Sequence, residues 1–170
     1  MSRVIFLHGA SSSGKTTLAG AIRAASSTPW VHLSLDHFRD SGAVDRANLT
    51  GEARARMFDG LHRSFAAFSD AGNDLIVEHI LDEPRWIARL TSAFANHDVL
   101  FVGVHAKRTN LIAREKQRGD RELGSAARDD KIVHQGRHYD LDIQSEDGVE
   151  ANVIRIMAAM EKTRNSDFSA

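Results

Sequence analysis

Eight consecutive residues, Gly9-Ala10-Ser11-Ser12-Ser13-Gly14-Lys15-Thr16, carry the densest chemistry in the chain, and Thr17 follows them. They fit G-x-x-x-x-G-K-[ST] at each fixed position. Polyphosphate binding needs many donors held close together, and this spacing supplies them. Gly9 and Gly14 permit bends and close approach that a side chain would block. The loop amides then turn inward as an anion nest. A helix starting near Lys15 adds about half a positive charge at its N-terminus. Lys15 is expected to reach the β- and γ-phosphates, and the Thr16 hydroxyl to ligate Mg²⁺. A bare Ser/Gly turn would explain the composition but not the fixed spacing. ATP or GTP is the implied ligand, and the loop does not say where the γ-phosphate goes.

Transfer of that phosphate to an alcohol needs a base near the hydroxyl and cations over the moving group. Asp36 closes the second apolar run and is followed by His37, Phe38 and Arg39. Its carboxylate is expected to take the hydroxyl proton or to hold metal-bound water, with a helix cap as the plain alternative. Glu78 closes the third run, with His79 beside it. Glu78 is a candidate for Mg²⁺ through water or for acceptor binding, and a buried hydrogen-bond partner is an equal reading. His37, Phe38 and His79 join the candidate acceptor site. A third group is Arg114, Arg118 and Arg121, in a segment from Lys107 to Arg137 with nine Lys/Arg against five Asp/Glu. Arginine gives planar two-pronged contacts to phosphate oxygens. Arg114 and Arg118 are expected at the nucleotide, and Arg118 and Arg121 over the transferred group. Gly119 and Gly124 bracket a closing lid, about 114–137. A solvated helix with i,i+4 pairs is the alternative. His8 reads as structural. His37, His79, His105 and His134 match no zinc spacing.

These residues need a frame. Val4–Leu7, Val31–Asp36, Asp74–Glu78, Val99–Val104 and Tyr139–Ile143 read as strands, apolar on both faces as in a helix-covered parallel sheet. Helical periodicity fills the gaps. Phe58, Leu61, Phe65 and Phe68 share one face within 50–71, where Gly72 suits a C-terminal cap. Ile87, Leu90 and Phe94 do so in 83–96, and Val149, Val153, Ile156 and Met160 in the last helix. The alternation predicts a doubly wound α/β fold, with ligands at the carboxyl ends of the strands.

Composition sets the outer bounds. The 170 residues suit one domain, at 42% hydrophobic and 26% charged. There is no cysteine, which excludes thiol nucleophiles and Cys-ligated metals. Net charge is −1, giving no global basic field for nucleic acid. No apolar run of transmembrane length and no signal peptide are found, so a cytosolic protein without a membrane partner is expected.

The chain resembles the chloramphenicol phosphotransferase family of small P-loop kinases. The resemblance begins with the strand into Gly9–Thr16 and continues through Pro29-Trp30 and Asp36. Its most discriminating part is Arg118-Gly119-Asp120-Arg121, Gly124, Val133-His134-Gln135-Gly136 and Tyr139-Asp140. It implies a five-stranded parallel sheet of order 2-3-1-4-5, with ATP and Mg²⁺ as cosubstrate and cofactor. It implies phosphorylation of a small-molecule hydroxyl, and with chloramphenicol as acceptor, antibiotic resistance. Asp36 would be the general base, Lys15 and Thr16 the phosphate and metal contacts, and Arg118 and Arg121 the lid arginines. The loop at Ile143–Ser145 would approach the adenine. Two departures lie on the acceptor side. The stretch from Arg39 to Thr50 is shorter than the family's acceptor loop, and Glu78-His79 stands where paired aspartates are expected. A nucleoside, sugar or sugar-nucleotide kinase therefore remains an alternative, as does a nucleotide-dependent switch acting on a protein partner.

Overall fold

The computed structural model describes residues 1–44, 49–81, 83–118 and 124–163. Five parallel strands form one sheet: β1 (Arg3–His8), β2 (Val31–Ser34), β3 (Leu75–His79), β4 (Asp98–His105) and β5 (Leu141–Gln144). Their order is β2-β3-β1-β4-β5, as the resemblance implied. β1 lies at the centre, paired with β3 (Leu7 opposite Glu78, His8 opposite His79) and with β4 (His8 opposite Gly103). The helices are α1 (Lys15–Ala25), α2 (Leu35–Asp40), α3 (Gly51–Asp70), α4 (Pro84–Ala93), α5 (Arg108–Arg118), α6 (Ser125–Ile132) and α7 (Val149–Lys162).

The two-residue period of β1 divides the core. Val4 and Phe6 face a layer containing Phe58, Leu61 and Phe65 of α3 and Trp86, Ile87 and Leu90 of α4. Ile5 and Leu7 face Leu18 and Ile22 of α1 and Val153, Ile156 and Met160 of α7. Both faces of the sheet are thus covered, which is why the strands are apolar throughout. A third small cluster, Ala10, Leu111, Ala126 and Val133, packs α5 and α6 against the loop after β1. No helix of the described residues is long and apolar enough to cross a membrane.

Three expectations are corrected. The second strand ends at Ser34, not Asp36. The Ser34 hydroxyl accepts from the His37 amide at 3.3 Å, so the chain turns into α2 and places Asp36 in its first turn. On α3, Phe68 is 41% exposed while Ser69 is buried. Ser69 stands about three full turns after Phe58 and continues the buried line, whereas Phe68 falls to its edge. Val149, the first residue of α7, is 39% exposed and leaves the core stripe to the other three.

Several histidines are buried as neutral rings. His62 of α3 and His79 of β3 meet Nε2 to Nε2 at 3.0 Å, so both cannot carry a proton there. Burial lowers the pKa of His62 to about 4, that of His79 to about 3 and that of His134 to about 4. In the unfolded chain these rings titrate near 6.5. Below that value the unfolded state binds more protons, so stability is lost as the pH is lowered. The melting temperature is expected to hold above pH 6.5 and to drop steadily toward pH 4. Melts in matched buffers check this, and a flat profile across that window would contradict it.

Candidate active site

The loop between β1 and α1 has the shape its glycines predict. Gly14 caps α1 with a φ of 103°, and Ser12 takes a φ of 64°. These left-handed residues turn successive amides toward a common centre. Lys15 Nζ donates to the carbonyls of Gly9 and Ala10 at 2.9 and 2.7 Å, which bends the ammonium back across the loop. The buried hydroxyls of Ser12 and Ser13 have no partner among the described residues. Gly9 is needed for another reason: a Cβ there would lie 2.3 Å from the Val104 carbonyl oxygen. Gly9→Ala must push β1 and β4 apart below the loop. It is expected to cost about 1–3 kcal/mol, read as a lowered midpoint in urea unfolding.

Opposite the loop, three elements meet at Glu78. Its Oε1 accepts from Thr16 Oγ1 at 2.8 Å, and its Oε2 pairs with His32 Nε2 of β2 at 3.2 Å. Burial raises the Glu78 pKa, but the His32 hydrogen bond, the Lys15 charge and the Thr16 hydroxyl outweigh it, so the carboxyl sits below the usual range. A hydroxyl and an ionised carboxylate side by side are the hard oxygen donors that suit Mg²⁺. Asp36 faces the same space from α2 and accepts from Arg39 Nη1 at 3.0 Å.

On the other flank, Arg114 of α5 spans two elements. Its Nη1 reaches Ser145 Oγ at 3.0 Å and the carbonyl of Ser12 at 3.3 Å. It links the phosphate loop to the 3₁₀ turn Ser145–Asp147 after β5, where the resemblance puts the adenine. Asp129 of α6 accepts from the Ser11 amide at 3.3 Å. Arg118 ends α5, but its side chain lies outside the described residues, as does Arg121 altogether.

One cavity of about 660 Å³ joins both flanks. Loop residues Ser11, Ser12, Gly14, Lys15, Thr16 and Thr17 line it, together with Asp36, Glu78, His79 and Arg114. That size is typical of a small-molecule site. His37 and Phe38 do not line it. The His37 ring packs on His32 with centroids 4.6 Å apart, and Phe38 packs against the α3 and α4 side of the core. Arg39, Arg54, Phe58, Trp86 and Asp129 are among the residues that line the cavity without being marked for the site by the sequence. One signal was available: Arg54 sits one turn before Phe58 in line with the apolar stripe of α3, an odd place for a cation.

Beneath the loop, His8 Nε2 accepts from the Leu81 amide at 3.0 Å, so Nδ1 carries the proton of the neutral ring. His8 Nδ1 then donates to the Tyr139 hydroxyl at 2.9 Å, and that hydroxyl donates to His134 Nδ1 at 2.7 Å. Burial, then the Lys15 charge, keeps the His8 pKa well below its ordinary value. This fixed chain ties the strand that feeds the loop to the end of α6. Gly103 leaves room for Tyr139, since a Cβ there would lie 2.6 Å from its ring. Among the described residues no group of three or more His, Cys, Asp or Glu could hold a metal.

Comparison with known proteins places this geometry. A sequence model of the chloramphenicol phosphotransferase-like family matches residues 2–161. Two Mycobacterium tuberculosis proteins, of strains H37Rv and CDC 1551, are 25% identical over 169 residues, covering 84% of this chain and 75% of theirs. Each carries a provisional O-phosphotransferase name. Among solved structures, a Mycobacterium tuberculosis APS kinase in complex with AMPPNP and APS superimposes with a TM-score of 0.68 at 16% identity, over 94% of this chain and 98% of that one. A Sinorhizobium meliloti gluconokinase gives 0.63 at 17% identity, over 94% and 91%. These two show the P-loop kinase fold.

Proposed function

We propose that this chain, which belongs to the chloramphenicol phosphotransferase-like family, moves the γ-phosphate of ATP to a hydroxyl of a small molecule. One observation carries the reading: the phosphate loop, the Thr16–Glu78 pair and the Asp36 carboxylate line a single cavity. The orphaned Ser12 and Ser13 hydroxyls fit a ligand rich in oxygen acceptors. Thr16 and Glu78 would hold Mg²⁺, which neutralises charge on the β- and γ-phosphates when bound. Lys15 leaves the Gly9 and Ala10 carbonyls for the phosphate oxygens, and Arg114 lies against the adenine side.

Asp36 accepts the proton of the acceptor hydroxyl as its oxygen attacks the γ-phosphorus. The bond from that phosphorus to the β,γ-bridging oxygen breaks, and ADP leaves with the electron pair. The loop amides and Lys15 stabilise the spreading charge. By the family resemblance, Arg118 and Arg121 would supply further cations over the transferred group.

The family name makes chloramphenicol the first acceptor to try. Incubation with Mg-ATP and the drug, beside a panel of small alcohols, nucleosides and sugars, tests the reading by mass spectrometry. Addition of one phosphate to a panel compound is expected. Nucleotide hydrolysis alone, with a nucleotide-dependent change in assembly, would favour a switch instead.

A further inference from the structure

The acceptor half of the cavity has a chemical character that the reaction itself does not require. Arg54, in the first turn of α3, lays its guanidinium carbon 4.6 Å from the Phe58 ring centre and 5.8 Å from that of Trp86. Phe58 and Trp86 stack on each other at 4.3 Å, and both are buried. His79, neutral and buried, stacks on the same pair at 5.7 and 5.3 Å. Leu35 and Ile80 complete an apolar floor. Among the described residues Arg54 makes one ion pair, from Nη1 to Glu83 Oε1 at 3.3 Å. Its Nε and Nη2 have no partner among the described residues. A guanidinium stacked on aromatic faces still presents its edge donors in the ring plane. A second guanidinium, Arg39, stands beside Asp36. Among the described residues lining this half, Asp36 is the only carboxylate besides Glu78 at the metal position.

We propose that Arg54 is a specificity determinant and that the acceptor is an alcohol carrying an oxyanion, as carboxylate, sulfate or phosphate, on an apolar or aromatic frame. This rests on the phosphotransferase reading above. The hydroxyl end of such an acceptor meets Asp36, which takes its proton. The anionic end meets the unused donors of Arg54, and the frame lies along the Phe58–Trp86 wall. A charge-assisted contact of that kind separates an anionic acceptor from its neutral twin by about 10- to 100-fold in kcat/KM. A neutral acceptor would leave Arg54 to solvent and Glu83.

The test uses matched probes with Mg-ATP and the full chain. One pair is para-(hydroxymethyl)benzoate and para-(hydroxymethyl)benzamide; the other is para-(hydroxymethyl)phenyl phosphate and para-methoxybenzyl alcohol. Chloramphenicol is the neutral reference. Phosphorylated product is quantified by mass spectrometry for the wild type, Arg54→Gln and Glu83→Gln, each first shown to be folded by thermal melting. The wild type is expected to favour the anionic member of at least one pair by 10-fold or more. Arg54→Gln brings that ratio toward unity, and Glu83→Gln keeps or widens it. Which pair responds distinguishes a carboxylate from a phosphate group. Equal or better transfer to the neutral probes, or an unchanged ratio in Arg54→Gln, overturns the inference and leaves the phosphotransferase standing. Bound ATP with no probe phosphorylated overturns both.

Discussion

Replacing Lys15 by alanine is expected to lower phosphoryl transfer by about 10³-fold or more while leaving the chain folded. Lys15 belongs to none of the three apolar clusters, and its Nζ donates to the carbonyls of Gly9 and Ala10. Its loss therefore removes no core packing. On the proposed mechanism it removes the cation that stabilises charge developing between the β- and γ-phosphates, in a site where 6% exposure of Lys15 leaves little water to substitute. The second signature is binding. A ligand that binds only the native state raises the melting temperature by mass action, so ATP should stabilise the wild type and do so much less in Lys15→Ala. Near-normal turnover in the variant would remove Lys15 from the mechanism.

Asp36→Asn gives the other large effect. An asparagine oxygen still accepts from Arg39, so α2 and its Ser34 cap should persist. It cannot take a proton at neutral pH. If Asp36 is the general base, kcat falls by about 10²–10⁴-fold and the KM for ATP changes little, because the phosphate loop is untouched. Initial-rate kinetics with ATP and acceptor varied separately check this split. An unchanged kcat would remove Asp36 as the base. A raised KM for acceptor with normal kcat would make it a binding group.

The loop and the two-faced core are legible in the sequence because each rests on a local pattern, whereas the strand order follows from the family resemblance alone. The loop is a fixed spacing, and the strands are apolar runs whose alternate residues serve opposite helix layers. The acceptor side was not legible in the same way. The apolar run continues through Leu35 and so predicts Asp36 at a strand end. The Ser34 hydroxyl instead captured the His37 amide and began a helix, a competition between side chain and ladder that periodicity does not register. Adjacency groups His37 and Phe38 with Asp36, yet a helical turn sends neighbouring side chains in different directions, one to His32 and one to the core. Arg54, Phe58 and Trp86 come from α3 and α4, distant in sequence, and only the fold brings them to Glu78 and His79. His32 carries no sequence signal because its role depends on strand pairing, which sets Ser34 opposite Glu78 and leaves His32 to reach the carboxylate.

The central claim is that the γ-phosphate is transferred at this site, not merely released. The most direct measurement is the ratio of phosphorylated acceptor to ADP in one quenched reaction, with product and nucleotide quantified together. The account predicts one phosphorylated acceptor for each ADP, and loss of both in Lys15→Ala. ADP and inorganic phosphate in equal amounts, with no phosphorylated acceptor at saturating levels of the probes above, would contradict it.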